Sequence, residues 1–144
     1  MPVIVVGADT RTGRAIVDAL VEPDREVRAF VSDITTAGEL RIAGVKVALG
    51  DVSDPSHIEG ACTRCFSAVL VTEAASDDRE RSFARTPDAV LRGWVDAVRG
   101  AKVTRVIWVG EGALPVDGVE WAVVGPTESN IPGRVAELDD ARSL

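Results

Sequence analysis

The chain has 144 residues, 46% of them hydrophobic, which is enough for one domain with its own core and no need of a disulfide framework. Sixteen basic residues against 23 acidic ones leave a net charge of −7, which works against binding a phosphate backbone and argues against nucleic acid as a partner. No run of about 18 apolar residues is present, and Met1 leads straight into the apolar stretch Val3 to Val6, so the expected setting is the cytoplasm, away from membranes.

In chain order, β-branched apolar runs predict strands at 2–6, 26–31, 45–49, 67–72, 104–109 and 120–124. Between them, segments of helical period predict helices at 12–21, 35–43, 54–64 and 86–100. Strict alternation of the two implies an α/β fold, a three-layer, Rossmann-type doubly wound parallel sheet of about six strands. Residues 1–125 are expected to form the body of the domain and 126–144 its C-terminal tail, with a short helix near 134–142. From 111 onward the chain holds seven acids and two bases, so the tail is expected to be acidic and solvated.

The first strand, Val3-Ile4-Val5-Val6, runs into Gly7 and, past Gly13, into a helix. Strand, glycine turn and helix are the context a dinucleotide needs, because the helix N-terminus offers free N–H groups and a partial positive charge to a pyrophosphate. The turn residues Asp9, Thr10, Arg11 and Thr12 would lie beside that anion, with Arg11 and Arg14 able to offset the Asp9 carboxylate. The second strand ends at Ser32 and Asp33, and Asp33 falls twenty residues after Gly13, close to the spacing of an acid that bonds the adenosine ribose, the alternative being a solvated acid at the strand end. The third strand closes in Gly50-Asp51-Val52-Ser53-Asp54, where Asp54 or Ser53 can cap the next helix and Pro55 suits its first position. Cys62 and Cys65 come at the end of that helix, where no positive helix terminus lowers a thiol pKa, so the pair reads as two packed thiols and not as a redox motif. His57 reads as a surface residue. Thr72 and Glu73 fall at the ligand-facing end of the fourth strand. Thr86 can cap the fourth helix, Pro87 opens it and Gly100 ends it, and Leu91, Trp94, Val95 and Val98 share one face.

Together these segments resemble the NmrA-like, atypical short-chain dehydrogenase/reductase family. Gly7-Ala8-Asp9-Thr10-Arg11-Thr12-Gly13 resembles the family's G-A-T-G-x-T-G turn, Gly50-Asp51-Val52-Ser53-Asp54 its G-D-x-x-D turn, and Trp121-Ala122-Val123-Val124-Gly125-Pro126 its W-T-I-x-R-P element. The resemblance implies a bound dinucleotide, with Asp51 and Val52 lining the adenine pocket. It also marks departures. Thr10 stands for the middle glycine, Asp9 for a threonine, and Ser32 for the arginine that meets the NADP 2′-phosphate. A Cβ at position 10 and a carboxylate at position 9 both oppose the phosphates, so binding is expected to be weak, with NAD favoured over NADP.

Reductases of this superfamily use a serine or threonine after the fifth strand and a Tyr-x-x-x-Lys helix. The chain has no tyrosine, Gly110 and Glu111 follow the fifth strand, and only residues 110–119 join strands five and six, too few for a helical crossover. The expected protein is therefore a nucleotide-sensing or regulatory module without catalysis. The alternatives are a small flavin- or quinone-type reductase and an interaction protein that kept the fold alone. Loss of the crossover helix is expected to bare the face of Leu91, Trp94, Val95 and Val98, giving a homodimer or a protein partner through the 86–100 helix, the alternative being that residues 126–144 fold back over the gap.

Overall fold

A computed structural model describes residues 1–144. The elements in order are β1 (Val3–Val6), α1 (Arg11–Leu20), β2 (Val27–Val31), α2 (Ile34–Ile42), β3 (Lys46–Leu49) and α3 (Pro55–Ala61). They continue with β4 (Ser67–Val71), a 3-10 turn (Thr72–Ala75), α4 (Pro87–Gly100), β5 (Arg105–Val109), β6 (Glu120–Val124) and α5 (Ile131–Asp140). All expected elements are present within a few residues of their expected bounds.

The six strands form one sheet in the order β3-β2-β1-β4-β5-β6, every neighbouring pair parallel. β1 lies at the centre, and its four side chains are wholly buried. Successive side chains leave a strand on opposite faces. Ile4 and Val6 join the core under α3 and α4, while Val3 and Val5 join the core under α1, α2 and α5. Growth of the sheet reverses between β1 and β4. A doubly wound sheet opens its ligand crevice at such a point, outside the carboxyl ends of the strands.

Polar side chains at the helix starts fix where the strands release the chain. Thr10, Asp33, Asp54, Thr86 and Asn130 each accept a hydrogen bond from the amide three residues on. α4 ends at Gly100, but the left-handed residue of its exit is Lys102 (φ 59°). The Glu59 carboxylate lies over Gly100.

Residues 110–119 contain no helix, as expected, and the consequence differs from the expected one. The connection itself covers β5 on the α4 side, placing Val116 in the core with Ala113, Leu114 and Val119 packed against it. Trp94 is wholly buried, and its Nε1 donates a 2.7 Å hydrogen bond to the Val52 carbonyl. Leu91 and Val98 are buried as well, so the α4 stripe is core within the single chain and not a bare contact face. The apolar surface left open lies one strand farther out, at Trp121 and Val123 of β6.

The tail is docked, contrary to the expectation of a solvated segment. Val135 and Leu138 of α5 enter the core beside Ile16, Val17 and Leu20 of α1. Arg105, wholly buried, donates to the carbonyls of Leu138 and Ala141 at 2.7 Å each and to the Glu120 carboxylate at 2.9 Å. A cation thus meets the orphan carbonyls at the C-terminus of α5, where the helix dipole favours it. Cys62 and Cys65 are buried free thiols, and burial pushes Cys62 up to about 12. Neither is poised as a nucleophile at neutral pH.

Candidate nucleotide site

The two glycines of the first turn are fixed by packing. Gly7 has φ +86°, and a Cβ on it would stand 2.9 Å from the Ala74 Cβ. A Cβ on Gly13 would stand 2.0 Å from the Gly7 carbonyl oxygen, so α1 can approach β1 only with glycine there. Thr10 is unstrained in extended backbone and closes the turn on itself. Its Oγ1 donates to the Gly7 carbonyl at 2.7 Å and accepts from the Gly13 amide at 2.9 Å. The amides of Arg11 and Thr12 make no hydrogen bond within the chain. Two free N–H groups at a helix N-terminus are the donor set that suits a pyrophosphate, so this part of the site fits a dinucleotide.

Asp9 does not pair with Arg11 or Arg14. Arg14 reaches Glu39 at 3.1 Å, and Asp9 turns toward the end of β2. Its Oδ2 accepts from the amides of Ser32 (2.7 Å) and Asp33 (3.2 Å), and its Oδ1 accepts from Arg79 Nη1 at 2.8 Å. Arg79 also binds Asp77 through Nε and Nη2, both at 2.7 Å. Burial works against the guanidinium charge, and the Asp77 and Asp9 carboxylates outweigh it, raising the Arg79 pKa above the ordinary arginine value.

A cavity of about 530 Å³ lies beside these groups, over the carboxyl ends of β1, β2 and β3. Asp9, Ser32, Asp33, Gly50 and Asp51 line one side, Asp77, Asp78, Arg79, Glu80 and Ser82 line the other, and no apolar side chain contributes. Ser32 Oγ is buried without a partner, a free hydroxyl for a sugar hydroxyl to meet. Asp33 caps α2 through one oxygen, and the Thr36 hydroxyl and amide hold its carboxyl below the usual range. Asp51 is held from both sides, by the Ser53 amide and hydroxyl and by the Ser82 amide at 2.7 Å. The Val52 side chain is buried in the core and is not part of the lining of this cavity.

The second cavity, about 610 Å³, opens at the switch between β1 and β4 and reaches from Thr12 of α1 to the ends of β4 and β5. Thr72, Glu73, Gly110 and Glu111 form its polar wall, with Val71, Leu91, Val109 and Ile131 beside them. Thr72 Oγ1 donates to the Val109 carbonyl at 3.2 Å and fixes the floor between the two strands. A Cβ on Gly110 (φ +108°) would stand 2.4 Å from that hydroxyl oxygen, which accounts for the glycine. Glu73 and Glu111, 38 positions apart, face the same space, a pairing no spacing in the sequence suggests. His57 is exposed, edge-on to Phe30, and lines neither cavity.

A family model described as NAD(P)H-binding matches residues 7–135. The NAD(P)H azoreductase of Xenophilus azovorans is 27% identical over 134 residues, covering 86% of this chain and 47% of that protein. The chain therefore spans about half the length of this curated relative. Among solved structures, the anaerobillin reductase ChuY of Escherichia coli O157:H7 superposes with a TM-score of 0.74 at 17% identity, over 99% of this chain and 92% of that one. The Citrobacter sp. triphenylmethane reductase complexed with NADP(H) gives 0.62 at 21% identity, over 81% and 41% of the two chains. The NADPH-dependent quinone oxidoreductase of Escherichia coli gives 0.66 at 16%, over 84% and 47%. At these identities the structural likeness shows the fold.

Proposed function

The chain belongs to the NAD(P)H-binding family of NmrA-like, Rossmann-fold proteins, and from that premise we propose that it is a reductase that passes hydride from a reduced nicotinamide dinucleotide to a flat, electron-poor conjugated acceptor such as a quinone or a dye. The observation that carries this reading is the 610 Å³ cavity at the switch point, with Thr12, whose amide is free, at one end and the Thr72–Glu73 and Gly110–Glu111 walls at the other. An acceptor of this class spreads the incoming charge over its own conjugated system and takes any proton from water. The chemistry then rests on cofactor positioning, and the missing tyrosine is no obstacle. Names among the relatives, an azoreductase, a triphenylmethane reductase and a quinone oxidoreductase, support the same acceptor class.

NADH is the proposed donor. Ser32 offers a hydroxyl where the resemblance places an arginine, and carboxylates dominate the cavity beside it. Acceptor-dependent oxidation of NADH by the purified chain tests the reading, with turnover expected for quinones or triphenylmethane dyes and none for simple ketones or aldehydes. Ketone reduction at comparable rates would point to a proton donor this account lacks.

One observation favours a second reading, nucleotide sensing without turnover. Asp9, Arg79 and the hydroxyl of Thr10 fill polar positions along the nucleotide path with contacts internal to the chain. Saturable NADH binding with no oxidation by any acceptor would select it.

A further inference from the structure

The Asp9 carboxylate lies in an anion site that the fold has built from other residues. Two consecutive amides, Ser32 and Asp33, point at its Oδ2 from the exit of β2, and the Arg79 guanidinium meets its Oδ1 at 2.8 Å. The side chains of Asp9 and Arg79 are only 5% and 12% exposed, so solvent screens this contact poorly. Paired amides and a guanidinium are also the donors that suit a phosphate. The site sits where β2 releases the chain, at the position where the resemblance places the arginine for the 2′-phosphate. Arg79 reaches it from the far side of the cavity, out of residues 76–86.

We propose that Asp9 sets the dinucleotide preference of this chain: its carboxylate takes the place of a 2′-phosphate, neutralises Arg79 and excludes the phosphorylated cofactor. This rests on the dinucleotide reading above. Arg79 is the only cation lining the cavity, and Asp77 already holds its Nε and Nη2 edge. The Nη1 contact to Asp9 is therefore the one a phosphate would need. Of the other acids lining the cavity, Asp51 is engaged by Ser53 and Ser82, Asp77 by Arg79 and Arg81, and Asp33 through one oxygen by Thr36, while Asp78 and Glu80 accept from none of the three donors that hold Asp9. Asp9 alone holds the anion site, and its removal leaves two amides and one guanidinium edge with nothing to bind.

The test is calorimetric titration of adenosine 2′,5′-bisphosphate and of ADP into the unaltered chain, Asp9→Asn, Asp9→Ala and Asp9→Ala with Arg79→Ala. The unaltered chain should prefer ADP. Each single variant should gain about tenfold or more for the 2′,5′-bisphosphate, of the order a new charge-assisted contact supplies, and the added Arg79→Ala should abolish the gain. Asp9→Asn keeps an acceptor for the Ser32 amide, so the test stands even if Asp9→Ala folds poorly. Preference of the unaltered chain for the 2′,5′-bisphosphate, or a gain that survives Arg79→Ala, overturns the proposal. ADP binding that persists in every variant with no gain for the 2′,5′-bisphosphate overturns it alone. Absence of binding to either nucleotide in all proteins overturns it together with the dinucleotide reading.

Discussion

At the scale of single residues, the first turn separates what packing demands from what a ligand demands. Gly7 is required by its left-handed backbone and the closeness of Val71 and Ala74, and Gly13 by the approach of α1 to β1, whether or not a nucleotide binds. Their retention is legible in the sequence, but by itself it says nothing about phosphate. Thr10 is the informative position. From the sequence its Cβ reads as an obstacle, whereas the more direct effect is its hydroxyl, which takes the Gly13 amide for itself. Thr10→Gly should cost a few tenths of a kcal/mol, since glycine is a tolerable N-cap, against about 1 kcal/mol for Thr10→Ala. It frees that amide, so NADH should bind Thr10→Gly more tightly than the unaltered chain. Denaturant unfolding and NADH titration of the same samples check both halves, and unchanged or weaker NADH binding would show that the hydroxyl does not compete with phosphate.

Among elements, the strands and helices are legible because each announces itself locally, by a β-branched run or by a cap such as Asp54-Pro55 or Thr86-Pro87. The segment between the 3-10 turn and α4 is not. Residues 76–86 carry no apolar period, and their partners lie far off in sequence: Arg79 meets Asp9 across 70 positions and Ser82 meets Asp51 across 31. Only the assembled sheet brings these together. The same contacts make this segment sensitive to acid. Burial works to raise the Asp51 and Asp77 carboxyls, but their donors outweigh it, Ser53 and Ser82 for Asp51, Arg79 and Arg81 for Asp77, so both folded pKa values lie below the ordinary carboxylate value. A depressed folded pKa contributes stability that is present above the unfolded value, about 3.9, and is lost as pH falls through the folded one. Stability measured by denaturant unfolding should hold from about pH 7 down to about pH 5 and decline below about pH 4. Asp77→Asn should lower the plateau and flatten part of that decline, while an unchanged acid profile in this variant would remove Asp77 from the account.

For the whole molecule, the expected parallel sheet with helices on both faces is the observed one, and the absence of a crossover helix follows correctly from the short connection between β5 and β6. Its consequence does not follow, because neither composition nor spacing tells where a ten-residue loop or an acidic tail will lie. Residues 110–119 supply Val116 to one core and α5 supplies Val135 and Leu138 to the other, so Trp94 needs no partner chain to be covered. What the fold then presents is a crevice whose halves have different characters. One is a polar cavity with Asp9, Ser32 and Arg79 in its walls, and the other is a partly apolar cavity with Glu73 and Glu111 that reaches Thr12 of α1. The central claim is that a dinucleotide spans them with its pyrophosphate on the Arg11 and Thr12 amides. Calorimetric titration of NADH and then NADPH into the unaltered chain tests it most directly. The account predicts one NADH bound per chain, more tightly than NADPH; no binding of either, or NADPH bound at micromolar strength or better, contradicts it.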